Sequence, residues 1–151
     1  MERTVKKISQ VYYYIYTATI LSALVGYLLT LNSNSHVDTL SPLGIVLKSI
    51  VIIYILISVP LSLAGFHRMT KKWRMISDET LKFKAYQKGA TIRLILVGIG
   101  LLGSIIVFFI LLTDISLIYC FGITAIALFF CKPNVNKMIS DLKLDESETE
   151  E

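Results

Sequence analysis

Four long stretches of this sequence carry almost no charge, and that pattern limits what the chain can become. Val11 to Leu31 has no charged residue. Leu43 to Phe66 has one, Lys48. Leu94 to Leu112 and Ile115 to Cys131 have none. An α-helix needs about 20 apolar residues to cross about 30 Å of hydrocarbon. The first three runs meet that length, and the fourth, about 17 residues, suits a helix standing nearly upright. Backbone polar groups in hydrocarbon must bond within the protein, so a span is a helix or part of a closed barrel. Barrel strands alternate in polarity, and these runs do not. The sequence therefore predicts an all-α, polytopic membrane protein. The expected architecture is a four-transmembrane-helix bundle, a single membrane domain over residues 1–151. Composition agrees: 54% of residues are hydrophobic and 17% charged, against about 25% charged in soluble domains. A soluble globular enzyme, a disordered tail and a disulfide scaffold are excluded.

Basic residues set the orientation. The N-terminus holds Arg3, Lys6 and Lys7, and the first loop, Asn32 to Pro42, holds none. The second loop holds eight (Arg68, Lys71, Lys72, Arg74, Lys82, Lys84, Lys88 and Arg93). Thr113-Asp114 holds none, and the tail holds Lys132, Lys137 and Lys143. All but Lys48 of the 15 basic residues fall on one side, which the positive-inside rule makes the cytoplasm. Both termini, the connection 67–93 and the tail 132–151 are then cytoplasmic. The first run is longer than a signal-peptide core, and Leu29-Thr30-Leu31 is no small-residue cleavage site, so an uncleaved signal anchor is expected. The cytoplasmic bases, Arg68, Lys71, Lys72 and Arg74 foremost, are candidates for anionic lipid headgroups. They carry no nucleic-acid recognition motif. The last seven residues, Asp145 to Glu151, contain five acids.

Within the spans the informative residues are small or hydroxylated. Tyr12, Tyr13, Tyr14 and Tyr16 point around the first helix, as an interfacial aromatic belt does. Pro60 removes a backbone donor from the second span and should kink it. Ser58 and Ser62 flank it, and Tyr54 needs a hydroxyl partner, for which Thr19, Ser22, Ser104 and Thr124 are available. Gly98-Ile99-Gly100-Leu101-Leu102-Gly103 matches GxGxxG letter for letter. It lies in an apolar run with no preceding strand, so the dinucleotide reading fails. Gly98, Gly100, Gly103 and Ser104 are instead helix-packing candidates, Gly100 and Ser104 forming a small-xxx-small pair. That pair serves the same bundle or a second protomer. Cys120 and Cys131 are eleven residues apart on one helix, roughly 16 Å, too far for a disulfide.

The connections are expected to be ordered. MTKKWRMI continues the second helix, and Ser77-Asp78-Glu79-Thr80 starts another. A helical hairpin turning near Ser77 follows, with interfacial helices as the alternative. Trp73 suits the headgroup layer in either case. Pro133 ends the fourth helix, and Asn134 caps a short amphipathic one with Val135, Met138, Ile139 and Leu142 on one face. That helix lies on the membrane or against the hairpin. Arg93, at the start of the third span, is expected to snorkel. His36 and Asp38 in the first loop are too few for a metal site. No metal, cofactor or catalytic set emerges, and no acid, Arg or His lies deep in a span, where such groups mark ion or proton paths.

Tyr86-Gln87-x-x-Ala90-x-Ile92-Arg93 and Lys132-Pro133-x-x-x-Lys137-x-x-x-Asp141-Leu142 resemble a family of uncharacterised four-span bacterial inner-membrane proteins, over about 65 residues from Leu81. The resemblance implies the four-span fold and a bacterial cytoplasmic membrane, and no activity. Where family members carry a glutamate beside a glycine, this chain reads Leu96-Val97-Gly98-Ile99. Three functions follow in order of preference. The first is a non-enzymatic membrane protein acting by helix packing, as a homo-oligomer or as an accessory subunit with an unidentified membrane partner. The second is a small channel or transporter with a path between protomers or at the Pro60 kink. The third is a lipid-headgroup enzyme using His67 at the cytoplasmic interface.

Overall fold

The computed structural model describes residues 2–32, 37–111 and 114–142. The described chain is all-α, with five helices: α1 (Glu2–Asn32), α2 (Pro42–Arg74), α3 (Glu79–Leu111), α4 (Ile115–Phe130) and α5 (Val135–Leu142). The first three are each long and apolar enough to cross a membrane, and α4 with α5, bent by 78°, makes a fourth if the pair is one span. The fourth apolar run becomes a helix only to Phe130, with Cys131 as its cap. Leu112, Thr113 and the acidic tail lie outside the described residues, as does His36.

Polar side chains start and stop the helices. Ser41 Oγ accepts the Gly44 N–H at 3.0 Å and donates to the Asp38 carbonyl, while Pro42 occupies the first turn, where its missing donor costs nothing. A β-carbon on Gly44 would collide with the Asp38 carbonyl. Asp38 thus belongs to a turn: its Oδ1 also accepts from Leu40 N at 3.1 Å. Asp78 caps α3 by accepting from Thr80 N at 2.8 Å and Thr80 Oγ1 at 2.6 Å. Asp114 caps α4 through Ser116 N at 2.9 Å.

The hairpin over residues 67–93 is two continuous helical arms turning at residues 75–78. Pro60 does not break α2, which runs unbroken past it.

The third helix is the hub. It packs against α1, α2 and α4, while α5 folds back onto α2. Half of the most apolar stretch of α3 is buried, against 6% of that of α1. Two glycines seat α1 on α3. Ile15 lies against Gly98, 3.0 Å from where a β-carbon would stand, and the Phe109 ring fills the space beside Gly26. Glycine at these crossings lets two backbones approach closely.

Two clusters form the core. One, near the turn-side ends of α2 and α3, gathers Ile8, Phe66, Tyr86, Leu94, Cys131, Met138 and Leu142 among others. The other gathers Val51, Ile55, Val107, Leu111, Leu117 and Cys120. Met138 and Leu142 carry the amphipathic face of α5 into the first cluster and are fully covered. Burying such a side chain contributes about 1.5–3 kcal/mol, which holds an eight-residue helix that could not persist alone.

Candidate functional site

Three of the four small residues of α3 lie inside the chain's own bundle. A β-carbon on Gly100 would stand 3.4 Å from Ile55, Tyr54 and Thr124, so Gly100 marks the junction of α2, α3 and α4. Ser104 is fully buried, and its hydroxyl donates to the Leu101 carbonyl at 2.8 Å. Gly98 faces Ile15 of α1, as above. Gly103 meets nothing within 4 Å. The three glycines thus face three directions.

Tyr54 and Ser62 of α2 both donate to backbone carbonyls. Tyr54 donates to the Leu96 carbonyl of α3 at 3.0 Å, not to a side-chain hydroxyl. Ser62 donates to Val59 O at 2.8 Å. Ser58 lies near the Tyr54 hydroxyl, but its own buried Oγ has no hydrogen-bond partner among the described residues. Pro60 is exposed on the outer side of α2. Elsewhere Thr19 donates to Ile15 O at 2.7 Å, and Thr124 to Cys120 O at 2.8 Å. These bonds return hydroxyls to their own helices, the usual resolution for Ser and Thr in apolar surroundings.

Lys48, the one base outside the basic side, pairs with Asp114. Its Nζ lies 2.6 Å from Asp114 Oδ2, with Asp114 8% exposed and Lys48 34%. The ammonium hydrogen bond, reinforced by Ser116, holds the Asp114 carboxyl below the usual carboxylate range. Asp78 is also lowered, first by the Thr80 hydroxyl.

Arg68, Lys71 and Lys72 are exposed, as is His67. Arg74 differs, because its Nε donates to the Asp141 carbonyl of α5 at 2.7 Å. The Tyr86 hydroxyl donates to the Asp141 carboxylate at 3.1 Å. Together these two bonds clamp α5 against the hairpin. Of its two expected positions, α5 takes the one on the hairpin. Trp73 is half-buried; its ring fills the space beside Gly89 and meets Phe66 and Tyr86 edge-on at 5.7 and 6.2 Å.

Arg93 departs furthest from expectation. It does not snorkel outward: it is 8% exposed. Its guanidinium lies 4.1 Å over the Phe66 ring, and one Nη is 3.5 Å from the Cys131 carbonyl at the end of α4. Its Nε has no hydrogen-bond partner among the described residues. Around it Lys132, Asn134 and Lys137 line a cavity of about 10 Å³, with room for one water. Lys137 itself donates to Phe130 O at 2.6 Å. Among the described residues no three His, Cys, Asp or Glu side chains gather as a metal site.

No known family model, curated protein or solved structure matches this chain. Its own geometry therefore carries the functional reading.

The two sequence segments quoted above, one in the first half of α3 and one running from the end of α4 through α5, meet in space. Tyr86, Ala90 and Arg93 stand beside Lys132, Pro133 and Lys137 around one cavity, and Tyr86 bonds Asp141. Sequence reasoning missed the burial of Arg93, the Asp141 clamp, the Trp73–Gly89 contact and the Lys48–Asp114 pair. Two signals were present: Lys48 breaks an otherwise one-sided charge pattern, and Gly89 interrupts a helix with no turn to make.

Proposed function

We propose that this chain is a four-span protein of the bacterial cytoplasmic membrane that acts without catalysis, by packing its helices against other membrane helices. Both termini and the turn between α2 and α3 face the cytoplasm, with Arg68, Lys71 and Lys72 among anionic headgroups. The charge asymmetry supports that orientation, and the resemblance of the second half to four-span proteins supports the span count. Four spans require α4, about 24 Å long at 1.5 Å per residue, to cross upright.

One observation carries the packing role. The first helix is held almost entirely by α3, and only Ile8 and Thr19 of its 31 residues are buried. Beside it, an open groove of about 300 Å³ runs between α1 and α4, lined by Ile20, Ala23, Phe109, Ile118 and Phe121. That surface suits a further transmembrane helix, supplied by a second copy or by a partner subunit. A path through the chain at Pro60 gains no support, because Pro60 lies on the outside and the neighbouring Ser62 hydroxyl is bonded to its own helix. His67 stands exposed, with no carboxylate against it among the described residues.

The test is the protein mass in mild detergent, combined with cross-linking in native membranes through single cysteines at Ala23 and Ile118. A mass that is a multiple of one chain, with cross-links between copies, supports the homo-oligomer. A cross-link to one other membrane protein at both positions supports the accessory subunit. A monomer that cross-links to nothing at either position defeats the packing role.

A further inference from the structure

Opposite charges are concentrated in two segments of this chain that the fold brings together. The connection 67–93 holds eight bases and two acids, Asp78 and Glu79. Residues 143–151 hold one base, Lys143, and five acids: Asp145, Glu146, Glu148, Glu150 and Glu151. Those nine residues lie outside the described ones, but the point from which they depart is fixed. Two positions before Lys143, Asp141 is held from both arms of the hairpin. Arg74 Nε of α2 donates to its carbonyl at 2.7 Å, and the Tyr86 hydroxyl of α3 donates to its carboxylate at 3.1 Å. Leu142 is buried in the same cluster as Phe66 and Tyr86. The acidic segment therefore starts from between two basic arms.

The bases around that point have no acid of their own, since the sole ion pair among the described residues is Lys48–Asp114. Helical register sorts them. At about 100° per residue, Lys71 stands about 60° round α2 from Arg74, one turn back, while Lys72 is about 160° round. On α3, Lys82 precedes Tyr86 by one turn and lies about 40° from it, whereas Lys84 and Lys88 are each about 160° away. Arg74 and Tyr86 mark the sides of the two helices that face Asp141. Lys71 and Lys82 thus flank the departure point, and Lys72, Lys84 and Lys88 turn away from it. Lys71 is exposed and Lys82 half-buried.

We infer that the acidic segment 145–151 docks within its own chain on the basic edge formed by Arg74, Lys71 and Lys82. Reach is no obstacle: nine residues extend to about 30 Å at most, and Lys71 lies about 5 Å along α2 from Arg74. A segment tethered this closely meets its target at an effective concentration of about millimolar. Several surface ion pairs, each weak alone, can then act together. The contact itself needs no membrane. Its consequence rests on the orientation proposed above: the segment competes with anionic headgroups for Lys71, because headgroups attract that base and repel the acids.

Zero-length carbodiimide coupling of the full chain in mild detergent tests the contact, since an amide forms only where a carboxylate and an ammonium touch. Mixing isotope-labelled with unlabelled chains separates coupling within a chain from coupling between copies. Peptide mapping should find the acids of 145–151 joined to Lys71 and Lys82 about fivefold more often than to Lys72, Lys84 and Lys88, the scale of one surface ion pair. Raising salt to about 1 M shortens the screening length to about 3 Å and should remove most of that preference. K71Q/K82Q should lower the total coupling of the segment rather than move it to the outward-turned lysines. Coupling spread evenly over the five lysines, coupling only between copies, or none to Lys71 and Lys82 overturns the inference. The same reaction in vesicles separates this contact from the headgroup reading. With phosphatidylglycerol present, coupling to Lys71 should fall several-fold relative to phosphatidylcholine alone. Coupling to Lys71 that is equal in the two vesicles supports the docked segment and overturns the headgroup contact proposed for that lysine.

Discussion

Replacing Asp114 separates two jobs held by one carboxylate. Oδ1 caps α4 through Ser116 N, and Oδ2 pairs with Lys48 at 2.6 Å. Asp114→Asn keeps a good cap, since Asn and Asp are comparable at that position, and removes the ion pair. Exposed pairs contribute about 0.2–1 kcal/mol, and breaking a fully buried pair costs about 3–5. With Asp114 8% exposed and Lys48 34%, this pair falls between those limits, and D114N should lose about 1–2 kcal/mol. D114A loses the cap as well, about 1 kcal/mol more. Lys48→Met keeps the stem and the cap, and in a double-mutant cycle with D114N the coupling should be about 1 kcal/mol. The pair also predicts a pH dependence. Lys48 lowers the folded-state carboxyl below its ordinary value, which is about 3.9. Its stabilisation is therefore complete above that value and is lost as pH falls through the folded-state value. Thermal unfolding in mild detergent between neutral pH and pH 3 reads both effects. Wild type should lose stability at the acid end more steeply than K48M. A coupling below about 0.3 kcal/mol, or identical acid limbs, would refute the assignment of the pair as a stabilising contact.

Four further substitutions test the packing. Gly100→Leu should cost about 1–3 kcal/mol by overfilling the junction of α2, α3 and α4. Gly103→Leu, pointing into open space, should change unfolding by less than about 0.5 kcal/mol. Gly89→Ala should push the Trp73 ring from its seat and shift its fluorescence to the red, with unchanged emission contradicting the close contact. Met138→Ala should cost about 2–5 kcal/mol and expose α5 to proteolysis ahead of global unfolding, since only Leu142 and the bonds from Tyr86 and Arg74 to Asp141 would then hold it.

Much of the architecture is legible in one dimension because hydrocarbon permits so few backbone solutions. A charge-free run of about 20 residues must become a helix there. The beginning of α3 was readable for a similar reason, since Asp78 followed by Glu79 and Thr80 is a local capping arrangement needing no distant partner. The short α5 was readable from its three- and four-residue spacing, and its bend from Pro133.

Tertiary structure alone decided which neighbours those helices share. A GxGxxG string does not say which side each glycine faces; only the crossing of α1, α2 and α4 over α3 gives Gly98 to Ile15, Gly100 to Thr124 and Gly103 to open space. Tyr54 had four hydroxyls on offer by composition, yet a backbone carbonyl of α3 lay within reach. Lys48 and Asp114, 66 positions apart in the chain, and Tyr86 and Asp141, 55 apart, meet only after the helices fold together. Arg93 is the sharpest case. Its place at the edge of an apolar run predicts an outward reach to water, because a lone helix offers a cation nothing better. In the folded chain Phe66 from α2 and the open carbonyl end of α4 surround it first. Hydropathy is a property of a segment and survives in the sequence. Pairing is a property of two segments at one distance, and it exists only once the chain is folded.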